Sequence, residues 1–355
     1  MSKYWSKAIR NIKPYTPGEQ PKDMKYIKLN TNENPYPPSP KAMEAIAKAA
    51  GEAGENLRLY PDPTCEELRC AIADYYKLEK QQVFVGNGSD ELLAFSFLAF
   101  FDSDSPVLFP DITYSFYRVY ASLFRTDYRE VPLNDDFSIP VEAFFETNGG
   151  IIIPNPNAPT GKFLPLRDIE SILERNENSV VIIDEAYVDF GGESAVALIE
   201  KYPNLLIIQT FSKSRSLAGL RIGMALGNND LIEGLDRVKN SINSYTLDRI
   251  ALAAAVQAIK DEKHFEETIR KIINTRERVS KELVQIGFKV IDSRANFIFI
   301  SHETMHARDI FKRLRDRGIL VRYFNEARID NYLRVSIGTD EEMDSFLKAI
   351  REIVI

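Results

Sequence analysis

A chain of 355 residues, 44% apolar and 27% charged, exceeds the size at which one hydrophobic core stops growing, so two units with separate interiors are expected. A net charge of −7 gives no electrostatic reason to bind nucleic acid or an anionic membrane, which leaves small molecules or protein as ligands. Cys65 and Cys70 form neither a CxxC spacing nor a disulfide framework, the opening MSKYWSKAIR lacks a secretory signal's apolar stretch, and the longest apolar run, LLAFSFLAFF at 92–101, is about half a membrane span; a cytoplasmic protein is expected.

Residues 1–40 are rich in Pro, Asn and Lys with little periodicity, which predicts an N-terminal arm laid over the body. SPKAMEAIAKAA then opens a helix, with Ser39 placed to cap it and Pro40 in its first turn. From about 80 to 227, the short runs QVFV, PVLF, GIIIP, SVVIIDE, LLIIQT and GMALG alternate with longer amphipathic stretches. Continuous apolar runs of that length belong to a mostly parallel sheet buried on both faces. They predict an α/β fold with a large domain over 41–240, and ligands where the strands deliver their C-terminal ends. After 228 the pattern turns helical, in LIEGLDRVKNSI and again over 250–287; ANFIFI, GILVRYF and YLRVSIG follow. These predict a smaller α+β domain over 241–355.

Four strand ends carry polar residues. QVFVGNGSDELL puts Gly88 and Ser89 between a strand and a helix, whose free N–H groups suit a phosphate. Asp90 and Glu91 favour the helix dipole but oppose an anion, so backbone amides must do the binding. GIIIPNPNAPTG ends in a turn holding Asn155 and Asn157, and SVVIIDEAY ends in Asp184, Glu185 and Tyr187. LLIIQT runs into Phe211, Ser212 and Lys213, with Arg221 eight residues further on. Desolvation at a strand's mouth favours an amine's neutral, nucleophilic form.

In this order, GNGSDE, NPNAPTG, DEAY and SKSRSLAGLRIG resemble the pyridoxal-phosphate-dependent aminotransferases of fold type I. LNTNENPYPPSP, YPDPTCEELRCAIADYY and VFVGNGSDELL look like the branch of that family acting on histidinol phosphate. The resemblance runs from Lys13 to Gly338. It implies pyridoxal 5'-phosphate as cofactor, with Lys213 as the amine that takes its aldehyde, Asp184 on the pyridine nitrogen, Tyr187 on the phenolic oxygen and Tyr114 stacked on the ring. The family often has Asn directly before Pro-Thr-Gly; Ala158 stands there in this chain, which shifts that role to Asn157, or to Asn155 as second choice. The cofactor phosphate falls to the amides of Gly88, Ser89 and Asp90, the hydroxyls of Ser212 and Ser214 and the fork of Arg221, with Tyr60 reaching in from a neighbouring subunit of a homodimer. Arg334 is matched to the substrate's anionic group, Arg322 and Tyr15 assist, and Tyr245 shapes the pocket. The activity so implied is a ping-pong exchange in histidine biosynthesis, between L-histidinol phosphate and imidazole-acetol phosphate on one side and 2-oxoglutarate and glutamate on the other. An aromatic amino-acid aminotransferase and a phosphothreonine-type decarboxylase share the cofactor and are the nearest rivals.

A different chemistry is written at 302–306, where HETMH matches the zinc-peptidase pattern H-E-x-x-H. It follows the strand-like ANFIFI rather than lying mid-helix, and the remaining histidine is His264, so solvent-facing residues at a helix start are the expected reading and no metal site is assigned. A non-enzymatic binding protein is the further alternative, against which polar residues converge on several strand ends.

Overall fold

The computed structural model describes residues 3–6, 9–10, 12–101 and 104–354. The arm contributes β1 (Ile27–Lys28) and leads into helix α1 (Pro40–Ala49), with Ser39 Oγ accepting the amides of Lys41 and Ala42 and Pro40 in the first turn. Then come α2 (Glu66–Tyr76), β2 (Val83–Gly86), α3 (Gly88–Phe100), β3 (Val107–Pro110), α4 (Phe116–Phe124) and β4 (Tyr128–Val131). They are followed by β5 (Gly150–Pro154), α5 (Leu166–Arg175), β6 (Val181–Asp184), β7 (Leu205–Thr210), β8 (Gly223–Gly227) and α6 (Asn229–Ile242).

β2 to β8 form one sheet in the order β2-β8-β7-β6-β5-β3-β4. β4, β3, β5, β6 and β7 run parallel, and β8 is antiparallel to both β7 and β2. Alternate residues enter two cores. Val181, Ile183, Leu205 and Ile207 pack with α2 and α5 on one face, while Ile182, Leu206, Ile208 and Phe109 pack with α3, α4 and α6 on the other. Burial on both faces explains why these strands read as unbroken apolar runs. The runs legible in the sequence are all strands. β4 escaped notice because it is an edge strand with the polar sequence YREV.

The C-terminal part holds α7 (Arg249–Lys260), the long α8 (Glu262–Gln285), β9 (Phe288–Ile291), β10 (Phe297–His302), α9 (Ala307–Asp316), β11 (Ile319–Leu320), β12 (Arg322–Tyr323), β13 (Leu333–Ser336) and α10 (Asp340–Val354). Its sheet, in the order β12-β13-β10-β9, is antiparallel and packs on α8, α9 and α10. Edge strand β9, sequence FKVI, likewise has no unbroken apolar run to mark it. The helical stretch read as continuous is interrupted at Asp261, which takes the hydroxyl of Ser39 and an ion pair from Lys41. α7 packs on α1 and α2 and contributes Ala251 to Ile259 to the core of the large sheet, so we propose a division between the two units near Asp261 rather than at 240. The arm crosses that division: β1 pairs with β11, and Leu29 sits in the C-terminal core.

Candidate active site

The parallel strands share one C-terminal edge of the sheet. There the residues after β2, β3, β5, β6 and β7 meet the arm and β12–β13 around a cavity of about 240 Å³. It is lined by Ser89 and Asp90 from the start of α3, by Thr113 and Tyr114 after β3, by Asp184 and Tyr187 from β6, and by Ser212 and Lys213 after β7. Arg221 stands before β8, Arg322 and Arg334 come from the C-terminal sheet, and Tyr15 comes from the arm.

The start of α3 is shaped for close approach. Gly88 has φ +79°, and a Cβ there would lie 2.7 Å from Arg221 Nη2. A Cβ on Gly223 would lie 2.6 Å from the Ser89 nitrogen. Asn87 donates its amide to Glu91 at 2.7 Å, while the amides of residues 88–90 have no protein acceptor among the described residues. Such a helix start attracts an anion. Arg221 Nη1 stands 3.5 Å from Ser212 Oγ, and its Nη2 donates to Asp90 Oδ2 at 3.0 Å. The opposing acid foreseen at Asp90 is therefore held by Arg221 and by the hydroxyl of Tyr114, 2.8 Å from Asp90 Oδ1.

Asp184 ends β6 with its carboxylate accepting from Tyr117 Oη at 2.8 Å and the Ala186 amide at 3.3 Å. Burial raises its pKa to about 6 against the pull of those two donors, and among the described residues it has no ion-pair partner. Glu185, next in the chain, points the opposite way. Its carboxylate accepts from Ser194 Oγ, the Ala195 amide and Gln209 Nε2, and burial still raises it to about 7.

Lys213 Nζ reaches the carbonyl of Thr31 at 3.3 Å and lies 5.8 Å from the centre of the Tyr187 ring. Tyr187 packs edge-on against Phe297, and its hydroxyl accepts from Asn32 Nδ2 at 3.0 Å. Arg334 is enclosed between Phe297 and Phe324, donates to the Asn30 carbonyl at 3.0 Å, and leaves Nε without a partner. Burial pulls its pKa down. Arg322 reaches the Thr16 carbonyl at 3.3 Å. Among the described residues, neither guanidinium has an ion-pair partner. Tyr15 stacks on Phe116 at 4.4 Å and meets Tyr114 edge-on.

Not every residue singled out in the sequence reaches this cavity. Ser214, expected on a phosphate, lines a separate crevice with Arg215 and Asp261. Asn155 spends its side chain on both backbone groups of Leu164. Asn157 lies behind Ala158, with Nδ2 donating to the Ile112 carbonyl and Thr160 Oγ1 and Oδ1 unpartnered. Tyr60 and Tyr245 stack on each other at 4.5 Å, exposed to 77% and 41% and away from the cavity of their own chain. Asn30 and Asn32 stood within LNTNENPYPPSP without a role of their own, and Tyr117 and Phe324 were likewise given none. The HETMH histidines straddle a strand end and a helix cap: His302 closes β10 and accepts the amides of Thr304 and Met305, and His306 caps α9. They do not share the helix face that a zinc ligand pair requires.

A family model described as aminotransferase class I and II matches residues 24–350. The histidinol-phosphate aminotransferase of Clostridium acetobutylicum is 64% identical over 354 residues, covering 100% of both chains. That of Clostridium beijerinckii is 59% identical over 354 residues, covering 100% of this chain and 98% of its own. Among solved structures, the histidinol-phosphate aminotransferase of Sinorhizobium meliloti in complex with pyridoxal-5'-phosphate superposes with a TM-score of 0.90 at 26% identity, covering 100% of this chain and 98% of that one.

Proposed function

The chain belongs to the class I and II aminotransferases, and from that membership we propose that it exchanges an amino group between L-histidinol phosphate and 2-oxoglutarate in histidine biosynthesis. It is a pyridoxal-phosphate-dependent transferase, and the cavity fits that cofactor. Gly88 and Gly223 leave no room for a Cβ beside the amides of α3 and Arg221, which makes a cradle for a phosphate. Asp184 is a buried carboxylate whose missing cation a protonated pyridine nitrogen supplies.

Bound there, the cofactor supplies a conjugated, protonated ring able to accept the electrons left when the substrate's amine-bearing carbon loses its proton. The chain's own residues do the rest. The amides of residues 88–90, Ser212 Oγ and Arg221 would hold the phosphate, Asp184 would keep the proton on the ring nitrogen, and Tyr114 would pack against the ring. Tyr117 donates to Asp184 Oδ2 and so aims the carboxylate. Lys213 Nζ, now on the Thr31 carbonyl, would hold the cofactor and, as the amine in reach, would serve as base and then acid for the proton on the reacting carbons. Tyr187 is our first assignment for the phenolic oxygen, because Asn157 reaches it only by releasing Ile112 and Thr160.

The observation that carries the substrate is a pair of guanidinium groups, Arg322 and Arg334, in the cavity of Lys213 without a carboxylate to neutralise them. A phosphate dianion compensates both, which a phenylalanine or tyrosine carboxylate does less fully. Tyr60 and Tyr245 enter the same reading through a homodimer, in which a second copy covers them and the exposed Leu57 and Leu59; a single-chain mass in sedimentation overturns that part. No helix among the described residues is long and apolar enough to cross a membrane, and a cytoplasmic location belongs to the same proposal. Steady-state rates with histidinol phosphate, phenylalanine and tyrosine test the substrate. Preference for the phosphate supports it, and equal or better use of the aromatic amino acids replaces it with an aromatic aminotransferase.

A further inference from the structure

Asn32, in the arm, is 1% exposed and adopts φ 55°, a left-handed conformation that asparagine and aspartate tolerate better than other side chains. Its N–H donates to Ser336 Oγ at 2.8 Å, and its carbonyl accepts from Asn296 Nδ2 at 3.0 Å. Having accepted that N–H, the buried Ser336 hydroxyl needs an acceptor for its own proton, and Asn32 Oδ1 takes it at 3.0 Å. This orients the amide so that Nδ2 faces Tyr187 Oη at 3.0 Å and donates to it. A phenol oxygen receiving that N–H cannot aim its own proton along the same line. No other group among the described residues accepts the Tyr187 proton, so it is left to the cavity that Tyr187 lines. Ala158 sharpens the point: it lines the cavity with a methyl group, and Asn157 behind it has both amide protons committed.

We propose that Asn32 is a positioning residue for the transfer reaction, donating to Tyr187 Oη and thereby turning the phenol's proton toward the phenolic oxygen of the bound cofactor. The proposal rests on the assignment of Tyr187 to that oxygen. Charged and titratable groups close to Tyr187 are Lys213, 5.8 Å from its ring centre, Arg334 on β13, and Tyr117 on α4, which donates to Asp184.

The test is the pH titration of the visible absorbance of the cofactor-loaded protein, a readout of the bound chromophore that needs no turnover. Tyr187→Phe raises the midpoint by about one pH unit, the worth of one hydrogen bond to a charged acceptor. Asn32→Asp keeps the backbone conformation but offers an acceptor where Nδ2 donated, drawing the proton away from the cavity; it raises the midpoint by at least as much. Asn32→Ala, which neither donates nor accepts, raises it by less and serves as the second variant if the first does not fold. In the Tyr187→Phe background most of the rise caused by Asn32→Asp disappears. A rise that persists undiminished there is the direct field of the new carboxylate and overturns the proposal. So does Asn32→Ala at the wild-type midpoint while Tyr187→Phe shifts it. If Tyr187→Phe itself leaves the midpoint unmoved, the assignment of Tyr187 fails first.

Discussion

The rim of the seven-stranded sheet and the N-terminal arm border the same cavity by opposite means. At the rim, Asp184, Lys213 and the amides of α3 stand where short parallel strands end, so their positions follow from local chain geometry. The arm segment 30–34 has no helix or strand. Its residues are fixed by partners far along the chain: Asn32 by Tyr187, Asn296 and Ser336, Asn34 by the carbonyls of Lys213 and Ser214, and Thr31 by Lys213. The rim carries chemistry on a rigid scaffold, and the arm ties that scaffold to the C-terminal sheet. Changes at the rim should therefore act on turnover, and changes in the arm's anchors on stability and orientation.

The sharpest break is Lys213→Ala, which should lower turnover by about 10⁴-fold or more and remove the visible absorbance of the loaded protein, since it deletes both the cofactor's attachment and the proton carrier. Borohydride reduction followed by peptide mapping checks the same point in the wild type, with the label expected on Lys213. Arg334→Lys keeps a charge but loses the planar fork; KM for histidinol phosphate should rise on the order of 10- to 100-fold, with a smaller rise for phenylalanine. Equal rises for both substrates would mean that Arg334 does not read the phosphate.

Glu185 separates rim chemistry from rim stability. Its folded pKa of about 7 lies above the ordinary 4.5, so between those values the folded chain keeps a proton that the unfolded chain has released. That contribution is fully present below the unfolded value and is lost as pH rises through the folded one, up to about 3 kcal/mol. Glu185→Gln should remove this part of the slope in the melting temperature of cofactor-free protein between about pH 5 and about pH 7, while its neighbour Asp184 continues to titrate. The smallest effect is expected on the arm side. Asn296→Ala leaves the buried Asn32 carbonyl without its donor and should cost about 1–2 kcal/mol in chemical denaturation, with the KM for histidinol phosphate little changed. A large rise in KM instead would make the arm's anchor part of the binding surface.

The scaffold was legible because burial on both faces writes a parallel strand as an unbroken apolar run, and because a helix start or a strand end has a chemical signature of its own. Edge strands β4 and β9 lacked that run and were invisible. Roles that depend on side-chain direction were not legible either. Asp184 and Glu185 are adjacent acids, yet one faces the cavity and the other a closed network with Ser194 and Gln209. Ser212 and Ser214 flank Lys213, yet only the first lines the cavity. Period-two alternation says that the adjacent acids diverge without saying which one meets the ligand, and it does not reach Ser212 and Ser214, which lie in the turn beyond β7.

By itself, then, the amino-acid order determined the α/β scaffold, the strand ends that carry polar groups, and the lysine, acid and glycine-rich turn set on them, because those follow from short-range periodicity and steric limits. Only the tertiary structure decided that Tyr117 aims Asp184, that Asn157 is shut behind Ala158, and that Asn32 is oriented by Ser336 to face Tyr187. Each of these joins residues distant in the chain, and a hydrogen bond depends on where two atoms meet, which no local pattern records.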